Sequence, residues 1–91
     1  MADLNDFRQS IDGIDEQIMG LYRQRMQVAR EVALYKSERG MEILDSEREQ
    51  AILDRVEDPG EKRLLQLLMD LSKEEQKRVV AEGERGHDAR R

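Results

Sequence analysis

Apolar residues recur in steps of three and four along the first part of the chain: Leu4, Phe7, Ile11, Ile14, Ile18, Leu21, Val28, Val32 and Tyr35. The repeat has a period of 3.5 and slips only at Arg25, which stands where an apolar side chain would. Such a seam predicts one long helix over residues 4–36, capped by Asp3 or Asn5 and packed along its length against another helix. At about 1.5 Å per residue it would be about 50 Å long, more than the rest of so short a chain can cover. The expected partner is a second copy of the chain. Gly13 and Gly20 lie inside this helix, where each either permits close approach of a neighbour or is simply tolerated. Arg25 cannot lose its charge, so in an apolar seam it needs anions and hydrogen bonds to meet it.

The seam ends after Tyr35 and Lys36. Gly40 offers a left-handed cap that stops the helix near Arg39, and Met41 to Leu44 read as a short apolar connection. Asp45 or Ser46 caps a short second helix with Ile52, Leu53 and Val56 on one side. Asp58-Pro59-Gly60 is the strongest break, because Pro59 biases its predecessor away from the helical region and glycine is a poor helix former. A third helix is predicted from about Glu61, with Leu64, Leu65, Leu67, Leu68, Leu71 and Val79 forming a broad apolar face. At 100° per residue, Ser72 and Gln76 share a sector of about 80° with Leu65, Leu68 and Val79, so two polar residues interrupt that face. Residues 83–91 lack periodicity and are expected to form a disordered tail; His87, the only histidine, is given no role. The prediction is an all-α fold with one helical domain over residues 1–82, in the order long, short and medium, without internal repeat or linker.

Charged residues make up 41% of the 91 and apolar ones 37%, a balance that suggests disorder in an aperiodic chain but not in one whose apolar residues keep helical phase. The absence of cysteine excludes a disulfide framework and thiolate metal sites. The Met1 end shows no signal segment and no apolar run is long enough to span a membrane, so a cytoplasmic protein is expected. A net charge of −5 argues against nucleic-acid or anionic-lipid partners, and any cationic site must be local.

Arg25 and Lys36 are 11 positions apart, three helical turns with an offset of about 20°, so both project from the same side of the first helix. Each either pairs with a carboxylate or reaches water, or the two together form an anion site. Arg48 and Glu49 occupy the first turn of the second helix, where amide groups favour negative charge, although such a pair is also an ordinary solvated surface. Ser72 and Gln76, one turn apart, either join that site or are buried polar groups satisfied inside the protein. Arg8 lies 17 residues before Arg25, about 25 Å along the axis and about 100° around it, too far to share a small ligand within one chain. In an antiparallel dimer it could reach the other copy's site. No cysteine, ordered histidine, glycine-rich phosphate loop or metal-spaced carboxylate cluster offers nucleophilic or metal chemistry. An enzyme of this composition would work by positioning and electrostatics.

The segments FRQSIDGIDEQIMGLYRQR (Phe7 to Arg25), VAREVALYK (Val28 to Lys36), DSEREQAI (Asp45 to Ile52) and SKEEQ (Ser72 to Gln76) together resemble the all-helical class of chorismate mutase. The resemblance covers nearly the whole chain and rests on Arg8, Arg25, Lys36, Asp45, Arg48, Glu49, Ser72 and Gln76 occurring in that order. It implies an intertwined antiparallel homodimer with two equivalent sites, each taking Arg8 from the other chain. The implied reaction is the [3,3] rearrangement of chorismate, a dianion, to prephenate in phenylalanine and tyrosine biosynthesis, with no cofactor and no metal. By the same resemblance, Arg25 and the other chain's Arg8 bind the two carboxylates with help from Arg48 and Ser72. Lys36 and Gln76 donate to the ether oxygen, Glu49 and the Asp45 region hold the ring hydroxyl, and Val32, Ile52 and Met69 form apolar walls. The segment between Glu49 and Ser72 is shorter than the family's by about two helical turns, which implies a trimmed second helix or loop. Lys73, beside Ser72, either enters the site or extends to solvent, of which solvent is the favoured expectation. Two rivals follow from the same residues. One is a pyruvate lyase acting on isochorismate on the same scaffold; the other is a non-catalytic helical dimer or regulatory module in which Arg25 and Lys36 are paired core charges.

Overall fold

Three helices account for the regular structure of the computed structural model, which describes residues 2–89: α1 (Leu4–Glu38), α2 (Ser46–Asp54) and α3 (Pro59–Ala89). Each start is fixed by an aspartate. Asp3 accepts the Asp6 N–H at 2.9 Å while Asp6 accepts the Asp3 N–H at 3.1 Å, a reciprocal cap that opens α1. Asp45 accepts the Arg48 N–H at 3.1 Å to open α2, and Asp58 accepts the Glu61 N–H at 2.9 Å to open α3. Pro59 thereby occupies the first helical position, where its missing N–H has no helical partner to lose, so α3 begins two residues earlier than Glu61. α1 ends as expected. Gly40 sits at φ 65°, its N–H reaching Ser37 O at 3.3 Å and the Met41 N–H reaching Lys36 O at 2.8 Å, which turns the chain back on itself.

The third helix departs from the sequence expectation at its other end. Instead of giving way to a disordered tail at residue 83, it continues to Ala89; Arg90 and Arg91 lie outside the described residues. Loss of apolar periodicity reports loss of packing, whereas Ala81, Glu82, Glu84 and Arg85 all favour helix intrinsically. The Arg78–Glu82 ion pair at 2.9 Å supports the last turn before that boundary.

α3 packs on the C-terminal half of α1, where the small side chains of Ala29 and Ala33 let it come close; with Met26 and Met69 they form the buried apolar core. Every described residue before Gly20 is exposed. The molecule measures 66 × 31 × 14 Å, and the smallest dimension is little more than one helix diameter of about 10–12 Å. A single layer cannot cover both sides of α1. The seam residues Leu4, Phe7, Ile11, Ile14, Ile18 and Leu21 accordingly remain 45–64% exposed, while α3 covers a face of α1 that the seam does not use. Within the chain, a Cβ at Gly13 or Gly20 would meet nothing within 4 Å, so α3 gives neither glycine a close neighbour. Among the described residues no helix is long and apolar enough to cross a membrane.

On one edge of the α1–α3 contact Glu75 accepts from Arg30 at 2.9 Å and from Arg78. These bonds, Arg78's first and Arg30's second, hold the Glu75 carboxyl below its ordinary 4.5. A depressed carboxyl adds stability that is present above about pH 4.5 and is lost as pH falls through the folded-state value. Thermal stability of the wild type should therefore drop more steeply between about pH 5 and pH 3 than that of Glu75→Gln. Parallel slopes in melting experiments would show that these ion pairs do not stabilise the fold.

Candidate active site

The turn at Gly40 and the cap at Asp45 place the start of α2 opposite the C-terminal half of α1, with α3 closing the third side. The three enclose a cavity of about 550 Å³. Arg25 and Lys36 reach it from α1, Asp45, Arg48 and Glu49 from the head of α2, and Ser72 and Gln76 from α3. Seven of the eight residues singled out in the sequence thus share one space. Val32, Ile52 and Met69 supply apolar wall, as expected. The eighth, Arg8, does not line this cavity; it stands exposed in the uncovered part of α1.

The cations are held by neutral oxygens. Arg25 Nη1 donates to Leu68 O at 3.1 Å and to Ser72 Oγ, which fixes the guanidinium against α3. Lys36 Nζ donates to Ile43 O at 3.0 Å, a carbonyl brought into reach by the glycine turn. Among the described residues neither Arg25, Lys36 nor Arg48 forms an ion pair. Paired core charges, the structural alternative for Arg25 and Lys36, would require a carboxylate within ion-pair distance, and Asp45 and Glu49 border the cavity without pairing with either. What stands instead is a set of positive groups oriented by carbonyl and hydroxyl dipoles, with capacity left for an anion.

The two polar residues on the apolar face of α3 differ from each other. Ser72 is buried and satisfied by Arg25. Gln76 is 9% exposed and its Oε1 is buried without a hydrogen-bond partner, an arrangement that folding alone does not favour. A half-turn of the terminal torsion exchanges Oε1 with Nε2, so the same position can offer a ligand either an acceptor or a donor. Asp45 combines two positions, since it caps α2 and borders the cavity.

Lys73 does not extend to solvent. Its Nζ lies 3.2 Å from Glu49 Oε2 and 3.5 Å from Asp70 Oδ1, and its side chain is only 25% exposed. The Glu49 carboxylate raises the ammonium's pKa above its ordinary range, against the opposing effect of burial. On the helix Lys73 is turned about 60° from Gln76, enough to face α2 from the rim of the cavity. A signal was available in the sequence: an acidic residue, Glu49, among the site candidates of the facing helix with no assigned cation.

The arrangement can bind a small dianion and present a fixed ammonium and an amide to a polar atom between apolar walls. Comparison with known proteins agrees with that chemistry. The family model for chorismate mutase type II matches residues 7–77, which takes in α2, most of α1, the first part of α3 and every candidate residue. The chorismate mutase of Methanocaldococcus jannaschii is 42% identical over 53 residues, which are 58% of this chain and 54% of that protein, so the match spans about half of the relative's length. No solved structure gives a significant match. With its helices in the family's order and its candidate residues gathered at one cavity, the chain belongs to the chorismate mutase type II family.

Proposed function

We propose that the chain is a chorismate mutase that works in the cytoplasm as a homodimer, rearranging chorismate to prephenate. The observation that carries the reading is the buried, unpartnered Oε1 of Gln76 in a cavity lined by Arg25, Lys36 and Arg48, none of them in an ion pair among the described residues. A group left unsatisfied beside cations that need anions is arranged for a ligand rather than for stability.

The reaction makes one C–C bond as one C–O bond breaks, and no proton passes to the protein. Its demands are a compact substrate conformation and stabilisation of negative charge growing on the ether oxygen. Arg25, steadied by Leu68 O and Ser72 Oγ, takes one substrate carboxylate with its remaining N–H groups, and Arg48 assists. Lys36 and the Gln76 amide turned as donor point at the ether oxygen, so their interaction strengthens as the C–O bond opens. Glu49 accepts from the ring hydroxyl, with the Asp45 cap beside it. Val32, Ile52 and Met69 press the enolpyruvyl chain over the ring, which is the entropic part of catalysis.

The second carboxylate is met by Arg8 of the partner subunit. About 25 Å separates Arg8 from Arg25 along α1, too far for one chain's site but suited to an antiparallel pair of α1 helices. The uncovered seam supports the pairing, because each apolar side chain buried there contributes about 1.5–3 kcal/mol. Purified protein should scatter light as a dimer at micromolar concentration and consume chorismate with formation of an equal amount of prephenate. A folded protein that leaves chorismate unchanged, or that releases pyruvate from isochorismate instead, would overturn the reading.

A further inference from the structure

We propose that Lys73 is a positioning residue of this site, tying α2 across the cavity and neutralising Glu49 so that a dianion does not meet its charge. The inference deepens the function proposed above and rests on it. Nζ of Lys73 lies 3.3 Å from Oε1 and 3.2 Å from Oε2 of Glu49, so the ammonium sits between both carboxylate oxygens. The two side chains are 25% and 21% exposed, more sheltered than an ordinary surface ion pair.

α2 has no buried residue of its own. Among the described residues, the Lys73–Glu49 pair is also the only side-chain hydrogen bond or ion pair joining α2 to another helix. Yet α2 and its cap deliver Asp45, Arg48, Glu49 and Ile52 to the cavity. Three polar residues of the site therefore hang on a helix with one polar anchor, and Lys73 is that anchor.

Charge gives the tie a second consequence. The cavity of one chain is bordered by four cations, Arg25, Lys36, Arg48 and Lys73, and two carboxylates, Asp45 and Glu49. Lys73 supplies one of these four cations and the only one paired with Glu49. Without Lys73 the positive excess of the site falls by one, and Glu49 becomes an uncompensated carboxylate facing two more on the substrate, where partial burial strengthens the repulsion. Both substrate carboxylates are present before and during the rearrangement. The loss therefore falls on ground state and transition state alike, which raises KM and leaves kcat nearly unchanged.

The test is steady-state chorismate turnover by the full chain with Lys73→Met, Lys73→Gln and Lys73→Arg, each checked for a wild-type melting profile. Lys73→Met and Lys73→Gln should raise KM about tenfold with kcat within about threefold, and Lys73→Arg, which keeps the cation, should stay within about threefold of wild-type KM. Adding Glu49→Gln to Lys73→Met should lower KM below that of Lys73→Met alone, because the repelling charge is gone, without reaching the wild-type value, since Glu49 also accepts from the ring hydroxyl. A wild-type KM in folded Lys73→Met, or a KM in Lys73→Arg as high as in Lys73→Met, would overturn the inference while leaving the proposed function standing. A wild type that does not turn over chorismate would instead overturn the proposed function itself.

Discussion

Gln76→Ala is expected to lower kcat for chorismate by about a hundred- to a thousandfold while changing KM by less than about threefold. The amide's proposed partner is an ether oxygen that carries little charge in the bound substrate and acquires it only as the C–O bond opens. Removing such a donor therefore raises the barrier without weakening substrate binding to the same degree. Folding should not suffer, because Oε1 of Gln76 is buried with no hydrogen-bond partner to lose. Gln76→Met, nearly equal in volume, separates shape from dipole: it should be as inactive as Gln76→Ala and at least as stable as wild type. Turnover and thermal melting of the two variants decide the matter. An effect confined to KM, or a stability loss that accounts for the lost activity, would return Gln76 to a packing role.

The fold was legible wherever one local rule dominated. Asp3, Asp45 and Gly40 mark helix boundaries through cap chemistry that needs only a few neighbouring residues, and all three act where expected. Asp58-Pro59-Gly60 was legible as punctuation but ambiguous in sign, since Pro59 both ends a helix and starts one; the Asp58 side chain settles it as a start. The intrachain packing face of α1 was hidden because it consists of Met26, Ala29 and Ala33, and alanine is a weak signal beside the louder Leu–Ile seam. That seam pointed beyond the chain, and within the chain it stays uncovered.

The site was legible because helical geometry converts spacing into direction. Arg25 and Lys36 share a side at eleven residues, and Ser72 and Gln76 interrupt an apolar face at four, so both pairs could be aimed before any tertiary contact was known. Which helix would lie opposite them could not be read that way. Lys73 was misplaced for that reason: alone on α3 it is an ordinary exposed lysine, and only the approach of Glu49 from α2 turns it inward. The neutral partners of the cations, Leu68 O and Ile43 O, are backbone groups and leave no trace in residue identity.

Arg8→Ala and Lys36→Ala should each leave the homodimer nearly inactive, the first by depriving both sites of a carboxylate-binding arginine and the second by removing the ammonium that meets the ether oxygen. In the proposed dimer their defects lie on different chains of any one site, because Arg8 stands about 25 Å along α1 from Arg25 and is proposed to act in the other copy's site. Unfolding the two variants together and refolding them yields mixed dimers in which one site carries both defects and the other carries neither. Half of the dimers are mixed under statistical exchange and each has one intact site, so chorismate turnover should return to about a quarter of the wild-type rate. This single measurement reads the reaction, the dimer and the shared site together. Recovery to that level is the expected result; a fully exchanged mixture as inactive as its two parents would show that Arg8 does not act across the dimer.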